Sequence, residues 1–256
     1  MPTGTLVTMT AGQDLSCVEG PHWVLYEWVA RINEGETVTL LARATAEWPE
    51  YYYARKDDGT ECWAFGGSSV ITGDPFTLPE REAPPLPEVT FVIENKTYAL
   101  TAFFYIRDQD ETDWGADHFG TSGGPVYGET FSLTIIAGFY DVLIKDNHNG
   151  ILYQQEDVAI GAEPSSRYVV FENRIDFYWD NDTSHNISRI RADAYEVGDI
   201  FELHQPADGT VSPGARVWMN ALAGYYHFYM HRYGDDAVVK DFQGVIVPGS
   251  DGIMPP

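Results

Sequence analysis

An all-β architecture is what this sequence predicts, and three observations carry the prediction. Aromatic residues are 14% of the 256 residues, a share that suits pleated, half-buried surfaces. Twenty-four Gly and 15 Pro divide the chain into short runs bounded by turn residues. Runs such as Leu6–Thr10 and Val38–Arg43 read as strands. The length points to two or three domains, and 44% hydrophobic residues suffice to give each a core.

Fifteen basic against 39 acidic side chains leave a net charge of −24. A duplex whose affinity depends on neutralised phosphates is therefore a poor partner, and an anionic membrane surface would repel the chain. No stretch approaches the roughly 20 consecutive apolar residues that span a bilayer, so membrane insertion is not expected. The first residues lack a basic segment followed by an apolar one, and Val247–Pro256 reads as the start of a linker. Both ends look cut.

Taken in order, Leu6–Thr10 and Val38–Arg43 are followed by strands Tyr51–Arg55 and Cys62–Phe65, which the turn Asp57-Asp58-Gly59 separates. Between them, Trp23–Ala30 has the periodicity of a short helix. Gly73-Asp74-Pro75 opens a boundary that runs to Pro84-Pro85-Leu86-Pro87, where three prolines in four positions favour an extended spacer. Gly161–Ser166 marks a second boundary between the strand-like Val158–Ile160 and Tyr168–Phe171. These breaks give a first domain over residues 1–75, a linker over 76–88, and two further domains over 89–162 and 168–248.

The two later segments repeat one another. A constant step of 86 residues places Phe91 on Phe177, Asn95 on Asn181, Thr97 on Thr183, Gly128 on Gly214 and Ala137–Tyr140 on Ala223–Tyr226. So long a period describes tandem domains, since solenoid repeats run about 20–50 residues. The first copy reads as strands Val89–Glu94, Tyr98–Ile106, Thr130–Ile136, Phe139–Lys145 and Ile151–Ile160, the last two joined by the turn Asp146–Gly150. Short strands separated by such turns indicate a compact antiparallel β-sandwich in each copy.

Cys17-Val18-Glu19-Gly20-Pro21, Val29–Glu36, Trp48 ahead of the aromatic Tyr51–Arg55, and the closing Gly59-Thr60-Glu61-Cys62-Trp63-Ala64 follow one another in that order. Through them residues 4–75 resemble a secreted bacterial SH3-like domain. Read without that resemblance, Cys17 and Cys62 could equally be two buried thiols. The two-cysteine version of that domain implies that they form a disulfide, and with it an oxidising, extracellular or cell-surface location. The 89–162 and 168–248 segments are similar, more faintly, to the small β-sandwich domains that follow such modules, through Thr112–Asp117 and Ala137–Asp141. Only Asp199 of the Asp113-Trp114-Gly115 group recurs in the second copy, so whatever that group does is not done twice.

Two sets of residues suggest chemistry. Asp108, Asp110, Glu111 and Asp113 place four carboxylates within six positions, which suits an oxygen-seeking cation such as Ca²⁺. The loop lacks the Gly and the distal Glu of an EF-hand, and a solvated acidic loop is the commoner use of such a run. Trp23, Trp48, Tyr51, Tyr53 and Trp63 crowd a small domain, and Trp114 lies in the acidic loop. Aromatic faces of this kind either bind sugar rings, peptides or subunits, or cap a small core. His227 and His231 have helical metal spacing, but on the strand expected there they stand about 13 Å apart. No nucleophile elbow or triad is visible. The expected role is a non-enzymatic secreted or cell-surface module contacting a cell-wall polymer, a peptide or another subunit. A self-assembling filament or surface-layer subunit, with homo-oligomeric contacts through exposed strand edges, is one alternative. A hydrolase with unrecognised carboxylates is the other.

Overall fold

The computed structural model describes residues 6–147, 149–195, 200–204 and 208–246, and among them regular structure is almost wholly strand. The fold is all-β with several antiparallel sheets. None of its helices is long and apolar enough to cross a membrane among the described residues.

The N-terminal sheet contains β1 (Thr8–Ala11), β2 (Leu15–Val18), β3 (Trp28–Ile32), β4 (Thr37–Ala44), β5 (Tyr51–Arg55), β6 (Glu61–Phe65) and β7 (Ser69–Thr72). Their order is β3-β2-β6-β5-β4-β1-β7. Strict alternation in β4 turns Val38, Leu40, Ala42 and Ala44 inward, the period-two pattern of a strand with one buried face. Val38 and Leu40 pack with Met9, Ile32 and Ala54 around Cys17 and Cys62. Those two cysteines form a disulfide with Cα atoms 5.4 Å apart. The β5–β6 hairpin closes at Gly59, whose φ of +90° is open to glycine and strained for other residues. Its flanks meet as Lys56 N donates to Thr60 O at 2.9 Å.

Trp23–Ala30 is not a helix. A single turn, in which Tyr26 N donates to His22 O, buries Leu25 and Tyr26; β3 then begins at Trp28 and pairs with β2. An isolated eight-residue helix gains too few hydrogen bonds to offset its nucleation, whereas the neighbouring strand supplies a ready ladder.

The proline-rich stretch is extended as its composition predicts, but it is fastened to the first sheet. A two-residue strand, β8 (Glu80–Arg81), runs parallel to β4. Arg43 pairs with Glu80 at 2.5 Å, the Arg81 guanidinium lies 3.5 Å over the Tyr53 ring, and Tyr26 Oη donates to Pro84 O at 2.7 Å.

The remaining strands up to residue 171 are β9 (Glu88–Asn95), β10 (Thr101–Asp108), β11 (Thr130–Ile136), β12 (Gly138–Asp146), β13 (Ile151–Ile160) and β14 (Tyr168–Phe171). They form two three-stranded sheets, β10-β12-β13 and β11-β9-β14. Tyr168–Phe171, which the sequence assigns to the third segment, thus pairs beside β9: an edge position open on β9 attracts the strand next in the chain. After it come β15 (Arg174–Asp180), β16 (Ile187–Ala194), β17 (Ile200–His204), β18 (Arg216–Leu222), β19 (Gly224–Arg232) and β20 (Val238–Ile246). These make a two-stranded sheet, β15-β18, and a four-stranded one, β17-β16-β19-β20. Phe177, Ile190, Tyr226, Phe228 and Met230 lie at the centre of the core they enclose.

Elements in these two stretches recur at the 86-residue step: β10 and β16, β11 and β18, β12 and β19 start and end at equivalent positions. So do buried polar corners. Asn95 Nδ2 donates to Pro125 O, its Oδ1 accepts from Thr97 N and Oγ1, and its carbonyl accepts from Gly128 N. Asn181 makes the same bonds with Val211 O, Thr183 N and Oγ1, and with Gly214 N. Only a side chain with a donor and an acceptor on one short arm serves both partners. Asn181→Ala would leave Thr183 N without its acceptor and is expected to cost about 2 kcal/mol, read as a lowered melting temperature; an unchanged one would show that water replaces the amide.

By contact density the chain divides into two compact units. One gathers the residues up to Phe91 with Ser132–Tyr140 and Val158–Tyr168; the other gathers Val92–Phe131, Asp141–Asp157 and the residues from Val169 on. The division passes through residues 89–162 rather than along the proline stretch.

The turn after β19 carries a pH signature. Arg232 bonds Asp235 through Nε at 2.9 Å, and Ala237 N donates to the same carboxylate. Arg232 chiefly, and that amide, hold the Asp235 carboxyl down to about 2 from its ordinary 3.8. The folded value being the lower one, the turn's contribution is complete above the ordinary value and fades as pH falls towards 2. An NMR titration of Asp235 should give a midpoint near 2; one near 3.8 would mean the turn is open in solution.

Candidate functional site

In the first unit two of the sequence-predicted aromatics, Trp23 and Tyr51, meet at one place. Trp23 stands 55% exposed at the mouth of a groove of about 290 Å³. Tyr51 and Phe65 line it with rings 5.4 Å apart, and Gln13, Asp14, Leu15 and Ser16 form the opposite wall. Burial pushes the Tyr51 phenol up, so its hydroxyl stays protonated at neutral pH. Asp14 is held rigid by Arg31 at 2.5 Å and by Glu34 N at 2.9 Å. The groove is thus an aromatic floor beside a fixed polar wall.

The other predicted aromatics lie elsewhere. Trp63 is 1% exposed; its ring lies under Tyr53 at 5.5 Å, and Tyr53 is itself covered by Arg81. Trp63 is buried rather than a binding face, because it lies on the side of β6 opposite Cys62 and Ala64, a side that the Tyr53–Arg81 stack covers. Trp48 packs 5.3 Å from His22, whose imidazole is pushed down by burial.

In the second unit Trp114 lies under the Arg107 guanidinium at 4.3 Å and beside Tyr105. Asp108, Asp110, Glu111 and Asp113 are all exposed, and no group of three or more His, Cys, Asp or Glu side chains gathers as a metal cage among the described residues. The four carboxylates do not converge, since the loop is organised by Arg107 and by Asp117, whose Oδ1 accepts from Phe104 N and Phe119 N. His227 and His231 both sit on β19 and bond separately, to Asp241 and to Asp236 O. Asp199 lies outside the described residues.

A second concavity, of about 450 Å³, is lined by Tyr98, Tyr127, Phe201 and Tyr226. These four rings come from four separate stretches, and nothing in the sequence singles them out together. The only signal is that Tyr98 and Tyr226 border the repeated Asn and Ala-Gly motifs.

No family model and no curated protein matches the chain. Among solved structures it is similar to "The Bacillus anthracis TIE protein", with 10% identity and a TM-score of 0.26 over 99% of this chain and 51% of that one. The chain therefore spans about half the length of that protein.

Proposed function

We propose that this chain is a secreted, non-enzymatic binding module that contacts a cell-wall polymer through the Trp23–Tyr51 groove of an SH3-like first domain. The observation that carries the reading is the exposed Trp23 over the Tyr51–Phe65 floor, since a large exposed aromatic beside an aromatic cleft is a costly use of surface unless something covers it. The disulfide supports a site of action outside the cell. The 86-residue recurrence of strands and Asn corners supports reading residues 89–162 and 168–248 as related sandwiches that carry and space this domain.

Sedimentation with purified bacterial walls tests the proposal. The intact chain should co-sediment, and Trp23→Ala should reduce the bound fraction several-fold with no change in melting temperature. Equal retention of both proteins, or retention of neither, would sink the groove as the contact.

A further inference from the structure

We infer that the second unit carries a separate track for an uncharged glycan chain, beginning in the Tyr98–Tyr127 pocket and continuing over the outer face of β15 and β18. The pocket is built to be stiff. Tyr98 N donates to Ala223 O at 2.8 Å, and a Cβ on Gly224 would lie 2.6 Å from the Tyr98 Cβ, so only glycine lets the two backbones meet. Held there, the Tyr98 ring stacks on Tyr127 at 4.5 Å and 19° and meets Phe201 at 5.2 Å. Tyr226 closes the floor, its hydroxyl donating to Leu222 O at 2.7 Å. Tyr127 remains 36% exposed and offers its outer surface.

The rim decides the class of ligand. Glu172 pairs with Arg174 at 3.3 Å, Glu202 with Arg189 at 3.4 Å, and Lys96 with Glu94. Positive and negative charges cancel locally, so the pocket has no net sign with which to choose an ion. Nucleobases also stack on tyrosines, but their phosphates require a cationic groove that this chain of net charge −24 lacks. A neutral ring with apolar faces and hydroxyl edges fits both the stacked tyrosines and the polar rim.

The site does not end at the pocket. Asn220 on its rim donates to Asp176 at 2.8 Å across β15 and β18. Two positions along the same strand face, about 7 Å on, Trp218 stands 62% exposed against Tyr178 at 5.2 Å. Arg216 covers Tyr178 at 3.6 Å and is itself held by Asp180. An aromatic pocket followed along one face by a hydrogen-bonding pair and then an aromatic pair is a periodic surface, and a ligand with a repeating ring matches it.

Titration calorimetry on the full chain, with the di- and hexasaccharides of N-acetylglucosamine, glucose and mannose linked as linear neutral polymers, tests the track. At least one hexasaccharide should bind ten or more times tighter than its disaccharide. Trp218→Ala, at a solvent-facing position, should remove that gain and leave disaccharide binding intact. Tyr127→Ala should abolish both, and Trp23→Ala should change neither, which separates this site from the groove in the first unit. No binding of any hexasaccharide at millimolar concentration would overturn the proposal. So would length-independent binding, or tighter binding of tetramethylammonium, the mark of a cation cage, or of an extended peptide.

Discussion

Reducing Cys17–Cys62 is expected to destabilise the first unit by about 4 kcal/mol, the chain-entropy value for a bridge that closes a loop of 45 residues. Against the roughly 5–15 kcal/mol that holds a typical domain together, that is a large fraction. Both cysteines lie in the unit's core beside Ile32, Leu40 and Ala54, so the reduced pair would keep its packing and lose chiefly the constraint on the unfolded chain. Hydrogen exchange of the 61–65 strand, compared with and without reductant, reads the effect where it arises. Protection that survives reduction unchanged would mean that sheet pairing alone holds the unit. Intact mass adds a direct check: two thiols that alkylate without reductant would remove the oxidising compartment from the functional proposal.

Asp141→Ala should cost a similar amount, about 3–5 kcal/mol, because it leaves a guanidinium without its partner in a poorly hydrated place. The Asp141 and Arg107 side chains are 7% and 17% exposed and meet at 2.9 Å. Asp141 Oδ1 also accepts from Asp157 N at 3.2 Å, and Asp157 has a φ of +56°. Arg107 in turn donates to Thr112 O at 2.6 Å and carries the Trp114 ring, so the substitution should loosen the acidic loop as well as lower the melting temperature. Replacing both partners with Met and Leu should lose less than the single change, since no charge is then left stranded. A single-variant loss within about 1 kcal/mol would show that water reaches the pair. At the equivalent 86-residue positions stand Asp193 and His227, which face each other across β16 and β19. Position 193 thus carries no guanidinium, whereas Arg107 bonds Thr112 O and covers Trp114 in the earlier stretch.

Much of the fold could be read from local pattern. The alternation in Val38–Arg43, the Asp57–Gly59 turn and the run Thr130–Ile136 each lie within a residue or two of their structural bounds, because a half-buried strand must place apolar side chains at every second position. The recurrence of Asn95 at Asn181 was equally legible, since a buried amide with four fixed partners tolerates no substitute. Trp23–Ala30 misled because its periodicity suits a helix while its fate rests on β2, a neighbour by pairing. Trp63 misled in a similar way: whether a strand tryptophan is buried depends on what covers its face, here Tyr53 and Arg81.

The candidate sites divide along the same line. Trp23 and Tyr51 drew notice from aromatic density alone, but their union with Phe65 and Asp14, and the departure of Tyr53 to Arg81, follow from sheet order. The four carboxylates of the acidic loop were visible as a cluster, and only the structure shows that they are exposed and do not gather. The Tyr98–Tyr127–Phe201–Tyr226 pocket was invisible for a further reason: its members lie far apart in the chain and obey no period.

By itself, then, the sequence determined the all-β class, the places of most strands and the 86-residue step, since these rest on contacts between near neighbours and on residues with no chemical substitute. Which strands pair, which aromatics are buried and where side chains meet to form a site were decided by tertiary structure, because those outcomes depend on surfaces that come together only when distant strands have found their partners.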